Sequence, residues 1–211
     1  MLGYLGQRRS PLSSGYRASD RRVLIPDGGA GWGGWAPGQV TSRVYSGAEQ
    51  TVGVMARSIL EDADHFETRE LAETVCEGID SKDYLSEYLA LYHCLLKHTR
   101  YMRDPRRVEL VRAPWVISRM ILEGRRPSID CDDASNWMCA AGLAVGGAAE
   151  LCTVAFADGM VFDGRQQFSH VFARLIDPRR RLAIVCDPVA AEKTREMLRR
   201  VRAARVWPIA A

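Results

Sequence analysis

The apolar periodicity of this chain changes character once, at Gly146-Gly147, and that change limits the folds open to it. Before that point, apolar residues recur at helical spacing. Ser46-Gly47-Ala48-Glu49 reads as a capping box leading into Val52, Met55, Ile59 and Leu60. A second helix is predicted from Thr68, with Leu71, Val75 and Ile79 on one face. A third follows Ser81 and carries Tyr84, Tyr88, Leu91, Tyr92 and Leu95. Pro114 suits the first position of a fourth, through Ile117, Met120 and Ile121 to Gly124. The fifth opens at Cys131 and continues through Ala134, Met138, Ala141, Leu143 and Val145. The tyrosine stripe is expected in the core, with its hydroxyls at the rim. After the two glycines, Leu151 to Phe156, Phe168 to Ile176 and Arg181 to Asp187 are short runs rich in Val, Ile, Leu and Phe, bounded by Gly, Asp and Pro, as strands are. Helices first and an antiparallel sheet after is an α+β order.

The last two strands read as a hairpin through Asp177-Pro178-Arg179-Arg180. Pairing residue 177 with residue 180 sets His170 directly opposite Asp187. Their Cβ atoms would then be about 4.5 to 5.5 Å apart on one face, close enough for the carboxylate to hold an imidazole tautomer. Cys131 lies in Ile129-Asp130-Cys131-Asp132-Asp133-Ala134, in the first turn of the preceding helix. Unpaired N–H groups and the positive end of the helix favour a thiolate there, below the pKa of about 8.5 of a free thiol. Asp130, Asp132 and Asp133 act in the opposite sense, since carboxylates that suit a helix start also raise the cost of a neighbouring thiolate. A protonated His170 would have to compensate. A thiol, an imidazole and a carboxylate in this order are a nucleophile with its base and orienter.

With Asp-Cys-Asp-Asp, Ser169-His170-Val171 and Asp187-Pro188, the segment from about Arg100 to Val189 resembles the transglutaminase-like superfamily, which has the papain-like cysteine protease fold. Arg100-Tyr101-Met102-Arg103-Asp104-Pro105 and Glu109-Leu110-Val111-Arg112-Ala113-Pro114 resemble the small members that phages and prophages encode among their virion morphogenesis genes. The resemblance implies helices and a nucleophile helix packed on a small antiparallel sheet. It also implies Cys131 as nucleophile, His170 as general base and acid, and Asp187 as the residue that orients His170. Ile129 stands where a Gly often precedes the Asp-Cys pair, Gly146-Gly147-Ala148 replaces a Gly-Ile-Pro turn, and the last strand of the motif lacks the usual Trp. The family needs an oxyanion donor upstream of the Cys, and neither Trp115 nor any Gln or Asn sits in a motif that assigns it. Two functions follow: cleavage or transfer of an amide or acyl group on a protein or peptide, or a catalytically silent assembly part of a head, neck or tail. Other virion structural proteins are the partners expected in either case.

Three segments are expected: an extended arm over residues 1–43, a transglutaminase-like domain over 44–190, and a basic C-terminal helix and tail over 191–211. The arm contains Asp27-Gly28-Gly29-Ala30-Gly31-Trp32-Gly33-Gly34-Trp35-Ala36-Pro37-Gly38. It spells a Gly-rich dinucleotide pattern without the helix that pattern needs. Trp32 and Trp35 are candidate anchors on a partner, and a flexible linker is the alternative. Residues 1–43 hold six Arg against two Asp, and residues 178–211 nine Lys or Arg against three acids. Arg199 and Arg200 therefore head a basic patch for nucleic acid or an acidic protein, the alternative being a solvated helix. The other five cysteines, Cys76, Cys94, Cys139, Cys152 and Cys186, have no C-x-x-C pair and read as buried free thiols. A metal site built from Asp130, Asp132, Asp133, His170 and Asp187 lacks the spacing of a known loop. No cofactor is expected. No apolar leader and no uncharged run of membrane-spanning length occurs, so synthesis in a reducing host cytoplasm, then incorporation into a virion, is the expected course.

Overall fold

A computed structural model describes residues 22–24, 46–103, 111–159, 161–162, 165–189 and 196–209. It is a mixed helix-and-sheet fold of the α+β class. The elements in chain order are β1 (Arg22–Leu24), α1 (Ser46–Asp62), α2 (Phe66–Val75), α3 (Tyr84–His98), β2 (Arg100–Tyr101), α4 (Pro114–Leu122), β3 (Ser128–Ile129), α5 (Cys131–Ala144), β4 (Ala148–Phe156), β5 (Val161–Phe162), β6 (Arg165–Gln166), β7 (His170–Asp177), β8 (Leu182–Cys186) and β9 (Val201–Ile209). The main sheet has the order β1-β8-β7-β4-β9, antiparallel except for β1, which runs parallel to β8. Short β2 and β3 pair in parallel, and β5 and β6 pair antiparallel.

Helix α5, which opens at Cys131, is the centre of the molecule. Eleven of its 14 residues are buried, because it is apolar on nearly every side and is wrapped by the other helices and the sheet. Trp137 is fully buried and donates its indole N–H to Ser118 Oγ at 2.8 Å. Small residues let this helix lie close on β7. At Gly142 a Cβ would come within 2.7 Å of Leu175 Cδ2. Ser135 Oγ bonds the carbonyls of Cys131 (2.6 Å) and Val171 (3.2 Å), tying the first turn of α5 to the start of β7.

Two expectations are corrected here. The hairpin register is not 177 with 180, because Asp177 pairs with Leu182 and Ala173 with Cys186. Asp177 Oδ1 accepts the N–H groups of Arg179 and Arg180, and Arg181 takes a left-handed φ of 53°. Those bonds stabilise a four-residue turn in place of a two-residue one. The slip is two residues, so it leaves every side chain on its expected face.

The C-terminal helix is the second correction. Among the described residues of this segment, 196–199 are helical, and residues 201–209 form β9, paired along its length with β4. Trp207 and Ile209 pack toward the α5 side of the sheet, while Val201, Ala204 and Val206 join Cys152, Val154, Phe172, Val185 and Leu198 on the other. Pro208 lies on this outermost strand, the position where a strand tolerates a missing N–H. Residues 201–209 thus belong to the same sheet as the segment expected to end at 190. At the other edge, the segment expected to be a free arm contributes β1.

The tyrosine stripe is in the core, but its hydroxyls are inside rather than at the rim. Tyr88 and Tyr92 are 0% and 1% exposed. Tyr88 Oη donates to Ile176 O (3.0 Å) and accepts from Ala148 N (3.3 Å), spanning β7 and β4 where α5 ends. Gly147 is required beside it, since any Cβ there would collide with that hydroxyl.

Candidate active site

Cys131 is the first residue of α5 because Asp130 ends β3's extension and caps the helix. Asp130 Oδ1 accepts the N–H groups of Asp132 (3.0 Å) and Asp133 (3.1 Å). Asp133 then accepts from Arg112 N at 2.7 Å, and Asn136 Nδ2 donates to Arg112 O at 3.2 Å. Two of the acids that crowd the motif therefore have structural duties, one as cap and one as anchor for the segment before α4.

Asp132 is different. It is 7% exposed, and Cys131 Sγ donates to its Oδ1 at 3.5 Å. Burial, and then the charges of Asp132 and Asp130, push the Cys131 thiol well above its ordinary range, while the Val171 N–H bonded to the sulfur pulls it the other way. The expected gain from the helix N-terminus is outweighed, because a thiolate here would be desolvated beside carboxylates.

His170 begins β7 opposite Val154, held by Ser169 N to Val154 O at 3.0 Å. Asp187 follows Cys186, the partner of Ala173, so it lies level with Phe172, two residues from His170 on the same face. A diagonal spacing of about 7 to 8 Å between Cα atoms suits two side chains reaching toward each other. His170 Nε2 and Asp187 Oδ2 are 3.0 Å apart, with Asp187 fully buried. Val189 N donates to the carboxylate Oδ1 at 2.8 Å, and Tyr92 Oη donates to the Asp187 backbone carbonyl at 2.6 Å. With Nε2 engaged, Nδ1 is the nitrogen left for proton transfer. The imidazole lies between Phe156 and Phe172, at 6.2 and 6.3 Å between centroids.

Cys131 and His170 line two adjoining cavities. One, of about 430 Å³, is walled by Val52 and Met55 of α1 with Asp132, Thr153, Gln167 and Phe168. The other, of about 720 Å³, has Tyr101, Arg103, Phe156, Val189, Met197 and Arg200. The two cavities therefore meet at this pair.

Cys131 and His170 thus line one cleft, with Asp187 buried behind His170. Arg200 lies in its wall, paired with Asp158 and with its guanidinium 5.8 Å from the Phe156 ring centroid. Arg199 is exposed on the adjoining turn, away from the cleft lining. Trp32 and Trp35 lie outside the described residues. The other five cysteines are free thiols, three of them buried. Among the described residues no group of three His, Cys, Asp or Glu side chains is arranged to hold a metal ion, and no helix is long and apolar enough to cross a membrane. Tyr92, Tyr101 and Arg103 are site residues that the sequence reading did not single out. Tyr92 was visible only as part of an apolar stripe, and Tyr101 and Arg103 only as part of the Arg100-to-Pro105 motif, with no role attached. No family model, curated protein or solved structure matches this chain.

Proposed function

We propose that this chain is a transglutaminase-like cysteine hydrolase or acyltransferase with a papain-like core, and that it acts as a virion-associated protein of a phage head, neck or tail. The observation that carries the chemistry is the 3.0 Å bond from His170 to a fully buried Asp187, with Cys131 on the wall of the same cleft. Cys131 Sγ attacks an amide or ester carbonyl, and His170 takes the thiol proton and returns it to the leaving group. The thioacyl group then passes to water or to an amine. Because burial and Asp132 hold the resting thiol protonated, His170 works as a general base during attack rather than in a standing thiolate–imidazolium pair. The virion setting is supported by the motif resemblance alone, and mass spectrometry of particles purified from the host that carries the gene tests it.

Alkylation by iodoacetamide, located by mass spectrometry, tests the site. The expected result is labelling at Cys131 at pH 7.5 that slows markedly in His170→Ala and vanishes in Cys131→Ala. Equal labelling with and without His170 would sink the catalytic reading. That outcome would favour the second one, a silent assembly part, for which the raised thiol pKa is the supporting observation.

A further inference from the structure

Resting on that acyl-transfer reading, we infer that Tyr101, beside Arg103 in the wall of the larger cavity, is a further catalytic residue whose hydroxyl donates a hydrogen bond to the oxyanion that forms when Cys131 attacks a carbonyl. Tyr101 is placed by backbone pairing and not by a mobile side chain. It pairs with Ile129 across the β2–β3 ladder, with Arg100 N to Pro127 O at 2.9 Å on one side and Met102 N to Ile129 O at 2.8 Å on the other. Ile129 is two residues from the nucleophile, so the ladder fixes Tyr101 beside the point where the chain enters α5. Its side chain lines the larger cavity together with Cys131 and His170. Tyr101 is 39% exposed, so its side chain is open to a substrate entering from solvent.

Arg103 lies in the same cavity wall as Tyr101. A guanidinium has no acceptor, so toward the phenol it can only donate, and the phenolic proton remains to be donated elsewhere. Burial and the neighbouring Cys131 push the phenol above its ordinary range, so it stays a neutral donor wherever the enzyme works. A neutral donor is what a developing oxyanion needs, because it is stabilised without a proton being lost.

Two probes separate this role from any effect on the thiol. Iodoacetamide alkylates Cys131 by displacement at a saturated carbon, so no oxyanion forms. With p-nitrophenyl acetate, Cys131 Sγ attacks the ester carbonyl, the S–C bond forms while the thiol proton passes to His170, and the C–O bond then breaks to release p-nitrophenolate. Tyr101→Phe is expected to slow acylation on the order of 100-fold, as removal of an oxyanion donor does, while leaving alkylation unchanged. Arg103→Met should slow acylation in the same sense but less. Equal loss in both assays, or none in acylation, overturns the inference. An unsubstituted protein that alkylates at Cys131 in a His170-dependent way but does not acylate also overturns it, leaving the His170 pairing intact. Failure of the His170 dependence itself removes the reading beneath it.

Discussion

Tyr92 donates its phenolic proton to the backbone carbonyl of Asp187 at 2.6 Å, so a residue on α3 fixes the carboxylate that fixes His170. Both residues are fully buried or nearly so. Tyr92→Phe leaves that carbonyl unsatisfied away from water, at a cost of about 1 to 3 kcal/mol. The denaturant midpoint should fall accordingly, and the Cys131 alkylation rate should move toward that of His170→Ala. A fall in stability with an unaltered alkylation rate would show that Asp187 keeps its place without the phenol.

Asp132 is the charge closest to the thiol in its effect. Replacing it with Asn removes a repulsion that raises the thiol, so the alkylation profile of Cys131 should move to lower pH. A change of one pKa unit would make labelling at pH 7.5 about tenfold faster. An unmoved profile would assign the whole effect to burial.

Glu150 and Arg174 face each other across β4 and β7, 2% and 0% exposed, with Nη1 to Oε2 at 3.6 Å. The guanidinium nitrogens make no hydrogen bond, so Arg174 is held to Glu150 by charge. Arg174→Ala removes the counter-charge of a buried carboxylate and should cost about 3 to 5 kcal/mol, whereas Glu150→Leu with Arg174→Met should be neutral or stabilising. Chemical denaturation of the two singles and the double closes the cycle. Single and double variants of equal stability would contradict this.

Alkaline conditions should unfold the protein through its buried thiols. Burial raises Cys152 to about 12, and pushes Cys139 and Cys186 well above their ordinary range as well. Above about pH 8.5 the unfolded chain loses these protons while the folded one keeps them, so stability falls as pH rises. The loss runs from there toward the folded pKa values, at about 1.4 kcal/mol per pH unit for each thiol. Denaturant midpoints under reducing conditions should decline from pH 8.5 upward, and less steeply in Cys152→Val. A level midpoint between pH 8.5 and 10 would refute the account.

The helices were legible because each carries a 3.6-residue apolar period and a start or stop signal of its own, as Pro114 does for α4. His170 and Asp187 were legible as a facing pair for a reason of parity: the hairpin slipped by two residues, and only an odd slip would have separated them. The slip itself was hidden because it depends on where the Asp177 side chain bonds. β9 was hidden because its partner lies about fifty residues earlier, and its arginines recur at spacings that also fit a helix face. The sign of the thiol's shift was hidden too, since burial is a property of the folded neighbourhood and not of the motif.

The late strand β9 also governs when the site can come into being. Trp207 Nε1 donates to Thr153 Oγ1 at 3.0 Å, and Thr153 is part of the smaller cavity's wall. Until residues 201–209 have left the ribosome and docked, β4 has one neighbour instead of two and its apolar outer face has no cover from that side. Synthesis therefore passes through a species that already contains Cys131, His170 and Asp187 but not a finished cleft. A nascent chain in that state is a precursor whose chemistry waits on the emergence of residues 201–209.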